Sequence, residues 1–190
     1  VLFRSLKRQE YADALSDELS KKLCISKPVA RLLSSRGVNT VEAAEKFLSP
    51  DKSDFINPFE LYGMNAAVER INKAISLNES VLIYGDYDCD GLTAISILYT
   101  FLKDKIDKVS YYVPNRHSDG YGLHDIVVED LTKNEGIDLV ITVDCGITSK
   151  NEVKCIKEMG IDVVVTDHHE PIPELIPDGI VLNPKVDRKS

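Results

Sequence analysis

Apolar residues recur along this chain in two different rhythms. Up to about residue 48 they fall three or four positions apart. Tyr11, Ala14, Leu15, Leu19 and Leu23 mark one face of a helix that begins near residue 7. Ser26 stands where a second helix would be capped, with Pro28 in its first turn and Gly37 at its close. Thr40 caps a third, short helix that ends before Pro50. Residues 49–64 carry Pro50, Asn57, Pro58 and Gly63 and read as an irregular connector. Residues 66–77 are helical again, with Val68, Ile71 and Ala74 on one side.

From Val81 the rhythm changes. Runs rich in Val and Ile at 81–84, 109–113, 139–143, 162–165 and 180–182 show little alternation, as strands buried on both faces do. Helical patterns at 92–103, 124–133 and 149–159 separate the first four runs, the signature of parallel βαβ units. The last link, through Pro171, Pro173 and Pro177, is too rich in proline for a helix. The expected fold is α/β: a mainly parallel, five-stranded, Rossmann-like sheet flanked by helices, after a small helical region. Residues 1–64 form the helical lead-in and connector, and residues 65–190 the sheet domain.

Composition narrows the class. A length of 190 residues allows one domain with a real core plus a small appendage. With 43% apolar and 28% charged residues the chain reads as soluble and globular. No stretch approaches the roughly 20 apolar residues of a membrane span. No basic segment leads into an apolar signal core, so a cytoplasmic location and no membrane partner are expected. The cysteines (Cys24, Cys89, Cys145, Cys155) lack C-x-x-C spacing, which argues against structural zinc and for a reducing compartment. A net charge of −8 weighs mildly against a general nucleic-acid coat, although acids that hold a cation would invert the local field. Residues 1–5 match the translation of a sequencing adaptor and are set aside; the chain reads as a gene fragment open at both ends, and as a monomer.

The chemistry lies where the strands stop. The run at 81–84 enters Asp86-x-Asp88-x-Asp90-Gly91, the run at 139–143 meets Asp144, and the run at 162–165 leads to Asp167, His168 and His169. In a parallel sheet the carboxyl ends of the strands share one edge, so these groups converge into a divalent-metal phosphoesterase site. Alternate carboxylates suit hard cations such as Mg²⁺ or Mn²⁺, with Gly91 free to take a strained backbone angle. An EF-hand loop starts the same way but needs Glu at its twelfth position, which here is Ile97. Cys89 reads as a small buried side chain. Asp144 taken alone also suits a cap for the following helix. Neighbours in an extended chain point to opposite faces, so His168 is assigned to the metal and His169 to the substrate phosphate, with Asp167 orienting a ring. Gly120 and Gly122 offer backbone N–H groups to an anion, Arg116 a phosphate fork, and Tyr121 a stacking surface.

With these motifs in this order the chain resembles the DHH phosphoesterase superfamily, and within it the RecJ-type single-stranded-DNA-specific exonucleases. The resemblance rests on Tyr84 to Gly91, Arg116, Gly120-Tyr121-Gly122-Leu123, Val143-Asp144-Cys145-Gly146, Asp167-His168-His169 and Leu182-Asn183-Pro184. It implies a catalytic domain with one or two Mn²⁺ or Mg²⁺ ions on Asp86, Asp88, Asp90, Asp144 and His168. It also implies 5′→3′ removal of nucleotides from single-stranded DNA in repair and recombination, with replication or repair proteins as partners. A further metal-binding Asp and a domain that clamps nucleic acid are expected beyond Ser190, so the fragment alone is expected to be inactive. Two alternatives keep the fold: a hydrolase of short oligonucleotides, cyclic dinucleotides or pyrophosphate, and a non-catalytic replication scaffold.

Overall fold

The computed structural model describes residues 13–115 and 122–186. The chain divides into two compact units, Val1–Ile56 and Asn57–Ser190. In the first, helices α1 (Asp13–Lys22), α2 (Lys27–Ser35) and α3 (Val41–Leu48) close on a small core of Leu19, Ala30, Leu33 and Ala44. The helix start expected near residue 7 lies outside the described residues. Thr40 caps α3, its hydroxyl accepting the Ala43 N–H at 3.1 Å. Ser26 occupies the cap position of α2 without a side-chain bond. The connector contains two 3₁₀ turns, Lys52–Asp54 and Pro58–Glu60, each opened by a side chain, Asp51 or Asn57, that accepts a backbone N–H. Residues 57–64 go with the sheet unit, where Leu61 and Met64 pack on its core, so the compact units part earlier than the connector's end.

The second unit runs α4 (Met64–Leu77), β1 (Val81–Gly85), α5 (Cys89–Leu102), β2 (Val109–Tyr112), α6 (Asp125–Glu135), β3 (Leu139–Val143), α7 (Lys150–Glu158), β4 (Asp162–Thr166) and β5 (Ile180–Leu182). The proline-rich link before β5 makes one 3₁₀ turn, Pro173–Leu175. Every strand pairing is parallel, in the order β2-β1-β3-β4-β5. Every residue of β1 and of β3 is buried, which is why their sequences show no polar alternation.

Successive side chains go to opposite faces. Val81, Ile83, Leu139, Ile141 and Val164 meet α4 and α5 through Ala67, Ala74, Ile95 and Leu102. Leu82, Tyr84, Val140, Val163 and Val165 meet α6 and α7 through Val128, Val153 and Ile156. Each buried Val, Leu or Ile among them stabilises the fold by about 1.5–3 kcal/mol. Strand order reverses between β1 and β3, and a crevice opens outside the carboxyl ends of strands at such a reversal.

The opposite edge of the sheet is closed by matched polar pairs. Arg70, on α4, donates to Asp162 at 2.6 Å and to Glu79 at 2.7 Å. Asp138 accepts the Ser80 N–H at 2.8 Å, and Asn78 exchanges bonds with Asp107.

Candidate metal centre

Three strand ends build the centre. After β1, Asp86 is buried, and its Oδ1 accepts the Tyr87 N–H at 2.8 Å. Asp88 then caps α5, one oxygen accepting the N–H groups of Asp90 at 2.9 Å and Gly91 at 3.1 Å. Its other carboxylate oxygen makes neither of these bonds. Gly91 is helical and has no positive φ. Its use is space, since a Cβ there would collide with the Asp86 carbonyl.

After β3 the chain bends sharply. Asp144 has φ 60°, the left-handed region that most non-glycine residues avoid and that Asp enters more readily than most. Its Oδ1 lies 2.9 Å from His168 Nε2 and 3.9 Å from His169 Nδ1. Its Oδ2 is buried and has no hydrogen-bond partner among the described residues. Asp144 does not cap α7; Ser149 holds that position.

After β4, Asp167 is fully engaged. Oδ1 accepts the N–H groups of His168 at 2.7 Å and His169 at 3.0 Å and lies 2.8 Å from His169 Nδ1. Oδ2 accepts the Ile147 N–H at 2.9 Å. An ionised carboxylate only accepts, so a proton on Nδ1 of His169 would complete this contact. Asn183, beyond β5, donates to the His169 carbonyl at 3.0 Å and fixes the loop from below.

Two ligand groups result. Asp86, Asp88 and Asp144 each bring an oxygen within 4.8 Å of the others, and Asp144, His168 and His169 form a second set on the same criterion. Asp144 belongs to both. Burial, and then the charge of Asp88, push the Asp144 carboxyl above its ordinary pKa. Asp88 is pulled down, chiefly by the Gly91 backbone N–H. Carboxylates this close, with one buried oxygen unmatched, fit a divalent cation in both charge and donor type.

A sequence model described as the DHH family, N-terminal domain, matches residues 80–190. This chain belongs to the DHH family. The single-stranded-DNA-specific exonuclease RecJ of Bacillus subtilis is 44% identical over 167 residues, covering 88% of this chain and 21% of that protein. Exonuclease RecJ crystallised with manganese matches 68% of this chain and 33% of its own, at 35% identity and TM-score 0.61. RecJ of Thermus thermophilus in complex with Mn²⁺ matches 93% of this chain and 24% of its own, at 29% identity and TM-score 0.64. The chain therefore spans about a fifth of the length of the Bacillus relative.

Within this DHH-family centre the expected residues fall into place unevenly. Asp86, Asp88, Asp144 and His168 come together. Asp90 joins neither group; it is exposed on the first turn of α5 and lines a cavity of about 560 Å³ with Asp144 and His168. The two histidine rings do not point apart. They meet edge to face, 4.8 Å between centroids, because the chain has left β4 at Thr166 and strand alternation no longer applies. Cys89 is exposed rather than buried. Gly122 has φ 105°, and its carbonyl accepts from the Tyr84 hydroxyl at 3.2 Å. Arg116, Gly120 and Tyr121 lie outside the described residues. Asp144 and Asn183 both stand in motifs that carry the resemblance, but nothing in the sequence announced the left-handed angle of the one or the bond of the other to the His169 carbonyl.

Proposed function

We propose that the longer protein carrying this chain is a metal-dependent nuclease removing nucleotides stepwise, 5′→3′, from single-stranded DNA in repair and recombination. The observation that carries this reading is Asp144, shared by two ligand groups with a buried oxygen left unmatched. The names of the RecJ relatives supply the substrate class, and the polarity rests on the resemblance of the motifs. Residues 65–190 are read as part of the DHH catalytic domain. Because the chain covers 21% of the Bacillus relative, the surface that holds the strand is assigned to the remainder. A cytoplasmic, monomeric protein that meets replication or repair partners completes the reading.

Asp86, Asp88, Asp144 and His168 would hold one or two Mn²⁺ or Mg²⁺ ions, which would supply a water of lowered pKa and neutralise the phosphodiester charge. Asp167 holds the His169 ring through Nδ1 and so orients the group assigned to the substrate phosphate. With nearly half its side chain exposed, His169 reaches a phosphate oxygen from the solvent side. Arg116, Gly120 and Tyr121 are assigned to phosphate and base, and Asp90 to the cavity wall beside Asp144 and His168.

The test is digestion by the full-length protein. Asp144→Ala should reduce Mn²⁺-stimulated degradation of long single strands to background; undiminished activity rejects this centre. Faster turnover of dinucleotides than of long strands would shift the reading to a short-oligonucleotide hydrolase.

A further inference from the structure

A polar residue sits where the core should be purely apolar. Thr142 is fully buried in β3, between Ile141 and Val143. Its hydroxyl donates to the Cys145 carbonyl at 2.8 Å, closing a short ring around Asp144. Across the sheet the Thr166 hydroxyl donates to the Thr142 carbonyl at 2.6 Å, and the Asp144 N–H donates back to the Thr166 carbonyl at 3.0 Å. The turn also leans on the hydroxyl directly. Gly146 has φ 103°, and a Cβ there would stand 2.9 Å from Thr142 Oγ1. Each threonine stands two residues before a candidate ligand, Thr142 before Asp144 and Thr166 before His168.

We propose that Thr142 and Thr166 are positioning residues for the metal centre, their hydroxyls, donated to the Cys145 and Thr142 carbonyls, holding Asp144 and His168 in one geometry; this rests on the metal reading above. The β3 turn must keep Asp144 at a backbone angle that most L residues avoid, and nothing in the side chain of Asp144 itself enforces it. The Thr142 bond to Cys145 spans the residue and sets the turn from inside the sheet. The Thr166 bond ties that turn to the end of β4, so the 2.9 Å approach of His168 to Asp144 follows from one hydrogen-bonded unit rather than from two independent loops. Thr142 is fully buried, and Thr166 reaches the wall of the cavity beside Asp144 and His168. They act as outer partners that orient the ligand groups.

The experiment measures Mn²⁺ affinity by titration calorimetry, with thermal unfolding alongside, on the full-length protein and four variants. Thr142→Val removes the hydroxyl and keeps the shape; it should weaken Mn²⁺ binding by about 10- to 100-fold, the range for outer partners of metal ligands. Thr142→Ser, which restores the hydroxyl, should return affinity close to native. Thr166→Val should weaken binding in the same direction and by less. Val140→Ala, a fully buried change on the same strand, should lower the unfolding temperature and leave Mn²⁺ affinity unchanged. Native affinity in Thr142→Val, or equal impairment in Thr142→Ser, overturns the proposal, as does equal weakening by Val140→Ala. If Thr142→Val fails to fold, native Mn²⁺ affinity in Thr166→Val overturns it instead. An unmodified protein that binds no Mn²⁺ contradicts the metal reading itself, and this inference with it.

Discussion

The two edges of one sheet treat their acids in opposite ways. At the amino-terminal edge, Asp162 and Glu79 share Arg70, Asp138 takes a backbone N–H, and Asp107 pairs with Asn78. At the carboxyl edge, Asp86, Asp88 and Asp144 face one another within 4.8 Å, and Asp144 keeps a buried oxygen without a partner among the described residues. Both sets are tied to the same strands and the same core. Carboxylates matched by donors hold the fold together; carboxylates gathered against one another oppose it until a cation arrives. The contrast separates residues kept for stability from residues kept for chemistry.

The contrast breaks most visibly at Arg70. Its side chain is about one-tenth exposed and joins two acids, of which Glu79 is also largely buried. Arg70→Met would strand that charge and cost about 3 kcal/mol, the scale for removing one partner of a buried pair. Urea unfolding should show this loss while Mn²⁺ affinity stays native. A fall in Mn²⁺ affinity together with stability would mean that the two edges are not separable.

Asp88 sharpens the comparison because it serves both purposes. It caps α5 and faces Asp144. Asn caps as well as Asp, so Asp88→Asn should keep stability and lose Mn²⁺ binding, whereas Asp88→Ala should lose Mn²⁺ binding and about 1 kcal/mol besides. Equal stability in the two variants would remove the cap from the account.

Much of this is legible in the residues alone. The strands at 81–85, 139–143 and 162–166 announce themselves because burial favours Val, Ile and Leu along most of their length, and the acids at their ends follow from the shared edge of a parallel sheet. What stays hidden depends on where the chain leaves a strand. Alternation predicts that His168 and His169 part, yet the rings meet because β4 ends at Thr166. Even spacing puts Asp90 beside Asp86 and Asp88, yet α5 begins at Cys89 and turns it outward along the cavity. Gly91 looks like a residue needed for its backbone angle and proves to be one needed for its missing Cβ. Spacing cannot report a left-handed Asp144, and it gives no hint that two threonines in hydrophobic strands are bonded to each other.

The central claim is that Asp144 anchors a shared cation site, and thermal unfolding of the protein with and without Mn²⁺ tests it most directly. The native protein should gain about 2.7 kcal/mol at a hundredfold excess of Mn²⁺ over its dissociation constant. Asp144→Asn should be at least as stable in the absence of metal, since one of the opposed charges is gone, and should no longer respond to Mn²⁺. A native protein indifferent to Mn²⁺, or an Asp144→Asn variant stabilised by it to the same extent, would contradict the account.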